Sequence, residues 1–164
     1  MATQETTTCY TELDSPIGVL LITGNGSAIT GVYMQDGRPA IGDHWQRDDL
    51  HFTAAREQLQ AYFQGERQHF DLPLAGEGTV FQKSVWKALR EIPYGHTESY
   101  GELARRIGNH KASRAVGLAN GRNPIGIIVP CHRVIGANGS LTGYAGGLER
   151  KKWLLAHEQA HMGQ

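Results

Sequence analysis

A thiol and an imidazole stand side by side at Cys131 and His132, framed by Pro130 and Arg133. A cysteine next to a base can be deprotonated to the thiolate, the form of sulfur that attacks carbon. The chemistry expected is nucleophilic, with the sulfur held as thiolate beside the imidazole. Neighbouring side chains on a strand point to opposite faces, so direct pairing requires a bend. Pro130 supplies one, and a bridging water can relay the proton where the side chains do not touch. Taken alone, the same pair also fits a small buried hydrophobe with an incidental histidine. Cys9, the second cysteine, lies far away in sequence, which argues against a disulfide framework and for a reducing, cytoplasmic setting. Of the eight histidines, His157 and His161 stand one helical turn apart, but no Cys-x-x-Cys accompanies them. Neither a metal nor a cofactor is expected.

The formal net charge is zero, yet the two halves differ. Residues 1–82 carry four arginines against eleven carboxylates, whereas residues 83–164 carry twelve lysines and arginines against five glutamates. A basic half can replace the counterions condensed on DNA. Residues 1–8 are polar, without a basic start or an apolar run, and no apolar stretch approaches the roughly 20 residues of a bilayer span. A soluble protein with no membrane partner is therefore expected. At 164 residues, with 40% hydrophobic and 20% charged side chains, the chain can bury a core without staples.

The elements that must position these groups can be read along the chain. Residues 19–23 and 28–34 are β-rich runs joined by Gly24-Asn25-Gly26, which predicts a hairpin. Residues 54–63 bring Leu59, Tyr62 and Phe63 to helical spacing and stop near Gly65. The run from Leu72 through Pro73, Gly76 and Gly78 breaks regular structure, so an N-terminal α/β lobe is placed at 1–76 and a catalytic and DNA-binding lobe at 77–164. Thr79 with Gln82, and Ser99 with Glu102, form capping boxes. The first opens a helix expected to bury Val80, Phe81, Val85, Trp86 and Leu89; the second opens one running through Leu103 and Ile107 to Gly108. Residues 112–120 form another helix with Arg114 in its first turn, and helix, short turn, helix is the helix-turn-helix pattern. Residues 125–129 are apolar and end at Pro130, and 136–147 is a loop. Residues 149–157 close the chain as a helix, with Trp153, Leu154 and Leu155 inward and Arg150, Lys151 and Lys152 in solvent. The fold class expected is α+β: a small antiparallel sheet with a helix, then a mostly helical lobe.

Several separate motifs, in order, resemble the O6-alkylguanine-DNA alkyltransferases. Ile128-Val129-Pro130-Cys131-His132-Arg133-Val134-Ile135 is similar to that family's active-site signature. Ser99-Tyr100-Gly101-Glu102, Ala112-Ser113-Arg114-Ala115-Val116-Gly117 and Asn123-Pro124 precede it, and Gly143-Tyr144-Ala145-Gly146-Gly147 and Lys152-Trp153-Leu154-Leu155-Ala156-His157-Glu158 follow. The resemblance covers about half the chain, residues 79–158. It implies a ribonuclease-H-like first lobe and a winged-helix-like second lobe. It implies direct repair of double-stranded DNA, in which O6-alkylguanine, or O4-alkylthymine, is flipped out and gives its alkyl group irreversibly to Cys131. His132 is then the base and Glu158 its orienter, in the logic of catalytic triads. Tyr100 donates to the departing guanine and Asn123 braces the active-site turn. The backbone of Val134 and the segment Tyr144, Ala145, Gly146 line the base pocket. Arg114 fills the gap left by the flipped base, with Ser113, Ala115, Gly117 and Arg122 on the same DNA-binding surface. Without the resemblance, Glu158 reads as a solvated charge, Tyr100 as an aromatic packed at a helix start, Asn123 as an ordinary turn residue, and Arg114 as an exposed or phosphate-bound arginine.

The sequence shows no counterpart of the cysteine-rich N-terminal domain of the family's bifunctional members, so the stand-alone type without transcriptional regulation is expected; a monomer is expected as well. Ala145 and Gly126 sit where some family members carry a hydroxyl residue and a proline, which bears on pocket width. Three rivals differ in kind: an alkyltransferase-like lesion sensor, which lacks the acceptor cysteine; a Cys-His hydrolase, which turns over; and a helix-turn-helix regulator, which prefers one DNA sequence.

Overall fold

The computed structural model describes residues 8–36, 38–141 and 143–163. The polar start expected at 1–8 therefore lies, but for Thr8, outside the described residues. The hairpin forms as β2 (Leu20–Gly24) and β3 (Ile29–Tyr33), antiparallel with Leu21 opposite Tyr33. Asn25 makes the turn, its Oδ1 accepting the Ser27 and Ala28 amides at 3.0 and 2.9 Å. β1 (Cys9–Leu13) pairs antiparallel with β2, and β4 (Gln46–Arg47) joins β1 in parallel, giving the order β3-β2-β1-β4. The expected antiparallel sheet thus carries one short parallel edge strand. Helix α1 (Thr53–Phe63) seals the sheet with Ala55, Leu59 and Tyr62.

Both capping boxes close as their sequences require. Thr79 caps α2 (Val80–Leu89), and Ser99, in the short strand β5 (Glu98–Ser99), caps α3 (Tyr100–Arg106). Gly108, at φ 86°, takes the left-handed conformation that ends α3, and α4 (Ser113–Gly121) follows after a short turn. Trp86 Nε1 ties α2 to α4 by donating to the Ala119 carbonyl at 2.8 Å. β6 (Val134–Ile135) runs parallel to β5, and α5 (Leu148–Ala160) packs beneath the site. One hydrophobic cluster runs from Leu20, Ile22 and Leu59 through Val85, Leu89 and Leu103 to Leu154.

Two burial expectations fail, each for a reason of helical phase. Val80 is 89% exposed. Five residues before Val85, it lies about 140° around the helix from the buried stripe. Lys151, expected in solvent, is fully buried, because it stands three and seven residues before Leu154 and Glu158 on the inner face of α5. Arg150 is half-buried and donates to Asp36 and to the Ile17 carbonyl, while Lys152 is exposed. No helix among the described residues is long and apolar enough to cross a membrane.

Candidate active site

The segment before Cys131 is shaped by short turns, and only Ile125 pairs as in a sheet. Val32 of β3 donates to the Pro124 carbonyl at 2.9 Å and accepts from the Gly126 amide at 3.1 Å, which pins the start of the segment to the N-terminal sheet. Ile127 then adopts φ 69°, and the Ile128 amide reaches back to the Gly126 carbonyl at 2.7 Å. A γ-turn of this hand is costly for a β-branched residue. Pro130, at φ −82° and ψ 65°, makes a second tight turn of the commoner hand, with the Cys131 amide on the Val129 carbonyl at 2.8 Å. A single 3-10 turn, Cys131–Arg133, follows. Asn123 holds the double turn from inside: Nδ2 donates to the Val129 and Ile125 carbonyls at 2.8 and 3.3 Å, and Oδ1 accepts the Ile125 amide at 3.0 Å. The strained backbone lies immediately before the sulfur, where it fixes the direction of the thiol.

Cys131 is buried and lines a cavity of about 50 Å³, whose walls also include Val32, Met34, Asn123, Gly126, Tyr144, Ala145 and Gly146. That space suits a water or two rather than a purine. Gly146 lets the Met34 side chain approach closely at its rim, since a Cβ there would lie 2.1 Å from the Met34 sulfur and the methionine would have to shift. Burial raises the Cys131 pKa above its ordinary value, against the opposing effects of Asn123, the Lys151 charge and Tyr144. The resting sulfur is therefore a thiol, which corrects the expectation of a standing thiolate. Burial, with the sulfur beside it, also keeps the Tyr144 phenol protonated. The Tyr144 hydroxyl faces the thiol but makes no well-aligned hydrogen bond. Asn120 Nδ2 donates to the Cys131 carbonyl at 3.3 Å, and Lys151 Nζ donates to the Val134 carbonyl at 2.5 Å. Val134 is fully buried, and it is not among the residues walling this cavity.

His132, next to Cys131 in the same turn, and Glu158 are both fully buried, with His132 Nε2 2.6 Å from Glu158 Oε2. With the proton on Nε2, His132 donates to the carboxylate and leaves Nδ1 as the basic lone pair. Nδ1 has no hydrogen-bond partner among the described residues. Burial lowers the His132 pKa despite the opposing pull of Glu158, so the ring is neutral at rest. Burial alone would raise Glu158, but the donors His132 and Arg133 outweigh it and hold the carboxyl far below the usual range. Arg133 binds it through Nε at 2.8 Å and Nη2 at 3.1 Å, Tyr62 through its hydroxyl at 2.7 Å, and Gly95 through its amide at 3.2 Å.

The helix-turn-helix face is separate from this buried cluster. Arg114, Ala115 and Arg122 are exposed, Ser113 and Gly117 half-buried. Tyr100, half-buried at the first turn of α3, packs beside Gly117, where a Cβ would lie 3.6 Å from its ring. The structure thus gathers Cys131, Asn123, Tyr144, Ala145 and Gly146 around one cavity and His132 with Glu158 in one buried pair. It sets Tyr100, Ser113, Arg114, Ala115, Gly117 and Arg122 on the α3–α4 face. Sequence reasoning missed Asn120, Lys151, Arg133, Met34 and Tyr62. Lys151 carried a usable signal in its spacing to Leu154 and Glu158, whereas Tyr62 and Met34 come from the other lobe and had none. His157 and His161, considered as metal ligands, face the Tyr62 and His157 carbonyls at 2.7 Å each. No cluster of three or more His, Cys, Asp or Glu forms among the described residues.

Comparison with known proteins adds independent findings. Residues 8–75 match the family described as 6-O-methylguanine DNA methyltransferase, ribonuclease-like domain, and residues 80–160 match its DNA binding domain. A methylated-DNA--protein-cysteine methyltransferase of Methanosarcina acetivorans is 58% identical over 91% of this chain and 97% of its own. One from Mycobacterium tuberculosis is 56% identical over 92% of each chain. The fold superposes on the crystal structure of M. tuberculosis OGT in complex with DNA with a TM-score of 0.88 and 54% identity, covering 93% of this chain and 94% of that one. It also superposes on the O6-methylguanine-DNA methyltransferase of Pyrococcus kodakaraensis with a TM-score of 0.64 and 27% identity, covering 93% and 99%. The strained turn bearing Cys131, the buried His132–Glu158 pair and the agreement across both lobes lead to one assignment: the chain belongs to the 6-O-methylguanine DNA methyltransferase family.

Proposed function

We propose that the protein repairs duplex DNA by direct reversal, moving the alkyl group of O6-alkylguanine onto Cys131 as a monomer in the cytosol. The observation that supports this reading is a fully buried His132–Glu158 pair, 2.6 Å apart, whose histidine shares one 3-10 turn with Cys131, a buried thiol that lines a cavity. Neutral His132 takes the Cys131 proton on Nδ1, through an intervening water, and the imidazolium that forms is stabilised by Glu158. The thiolate attacks the alkyl carbon. A carbon–sulfur bond forms as the carbon–O6 bond breaks, and the bonding pair passes to the guanine. Tyr100 donates a hydrogen bond to the base and offsets the charge that builds there. Asn123 keeps the turn aimed, and the Tyr144–Gly146 segment borders the base.

Arg114, exposed in the first turn of α4, fills the vacated stack in this reading. Contacts to phosphate and groove shape rather than to base edges fit a lesion that can arise beside any sequence.

The thioether product has no easy route back to thiol, so each chain reacts once. Incubating the protein with excess duplex carrying labelled O6-methylguanine should transfer one methyl per chain and stop. Continued release of product would contradict the reading and favour a hydrolase.

A further inference from the structure

Among the described residues, Tyr62 is the side chain of the N-terminal lobe that hydrogen-bonds to the catalytic pair. Tyr62, on α1, is fully buried, and its hydroxyl lies 2.7 Å from Glu158 Oε2, the oxygen that faces His132 Nε2 at 2.6 Å. Arg133 Nη2 reaches the same oxygen at 3.1 Å. A carboxylate oxygen has about two good acceptor directions, so three donors compete for its electron density. The Tyr62 ring cannot turn away. Phe63 and Tyr94 meet it edge-on at 5.3 and 6.1 Å, Phe70 lies at 5.6 Å, and His157 holds the Tyr62 carbonyl.

We propose that Tyr62 is a positioning residue for alkyl transfer: by donating to Glu158 Oε2 it fixes the carboxylate and limits its pull on the His132 ring proton. The proposal rests on the alkyl-transfer reading above and gives the N-terminal lobe a part in the chemistry. Glu158 is faced by His132 and Arg133 from the turn, Tyr62 from α1, and Tyr94 with the Gly95 amide from the segment after α2. His132 also feels the positive charges of Arg133 and Lys151. Removing the Tyr62 hydroxyl leaves more negative charge density for the imidazolium, so His132 becomes easier to protonate. The ring must be neutral to accept the thiol proton, so the acidic limb of the rate profile must move to higher pH.

The test is the second-order rate of methyl transfer from an O6-methylguanine duplex, measured against pH with the full chain. Tyr62→Phe should move the acidic limb up by about half a unit, a roughly threefold loss of rate on that limb, with the plateau little changed. Tyr62→Met, which fills the space without a hydroxyl, should shift it in the same direction. The His132 ring titration, followed by NMR, should move with it. If the profiles of the folded variants superimpose on that of the parent, Tyr62 is a packing residue only and the proposal is overturned. A parent protein that methylates no cysteine at any pH sinks the underlying reading instead.

Discussion

Glu158 gathers donors from Tyr62, Gly95, His132 and Arg133, and that concentration makes it the most consequential single side chain in the site. Glu158→Gln leaves the Arg133 guanidinium buried without its counter-charge. Breaking a buried pair in this way costs about 3–5 kcal/mol, which denaturant unfolding should register. Lys151 acts on the sulfur through its charge. It is buried on the Val134 carbonyl, and its charge opposes the effect that burial has on Cys131. Lys151→Met should make the thiol harder to ionise and so slow its reaction with iodoacetamide at neutral pH. An unchanged rate would mean that Lys151 serves packing alone.

Helices, caps and turns were legible from local pattern. Thr79 with Gln82 and Ser99 with Glu102 form capping boxes by their own chemistry, and Gly24-Asn25-Gly26 turns the hairpin wherever the sheet sits. The fine path of residues 125–129 was not legible. Its apolar residues suit a strand equally well, and only the Asn123 bracket and the Val32 bridge select two tight turns. Lys151 and Val80 were misplaced because residue type was weighed above helical phase. Ser99→Ala should lower stability by about 1 kcal/mol through loss of the α3 cap, as read by thermal unfolding. Arg114→Ala, on the exposed face of α4, should slow repair within duplex DNA more than attack on a free O6-alkylguanine base. Equal losses would remove Arg114 from the base stack.

At the scale of the molecule, the two lobes share one core, and each contributes to the site: Val32 to the turn, Met34 to the cavity, Tyr62 to Glu158. None of these contacts is visible in local sequence, because each joins residues more than ninety positions apart. The buried acid and base also make the whole fold sensitive to pH. His132 is held below its ordinary 6.5 and Glu158 below its ordinary 4.5, so the unfolded chain binds more protons than the folded one. Across the acid range set by these two groups, stability therefore rises with pH. The His132 contribution is complete above about 6.5 and fades as the pH falls below that, and the Glu158 contribution fades below about 4.5. Calorimetry should show the melting temperature dropping in both windows, and His132→Gln should flatten the upper one. Exposed Lys83, Lys87, Arg90, Arg105, Lys111, Arg114 and Arg122 give the second lobe its positive surface, so affinity for duplex should fall steeply with salt.

The most direct measurement is peptide mapping by mass spectrometry after reaction with an O6-methylguanine duplex. A single added methyl should sit on the peptide containing Cys131, with Cys9 unmodified. A methyl found on another residue, or a protein left unmodified while the lesion disappears, would contradict the role of Cys131 as alkyl acceptor.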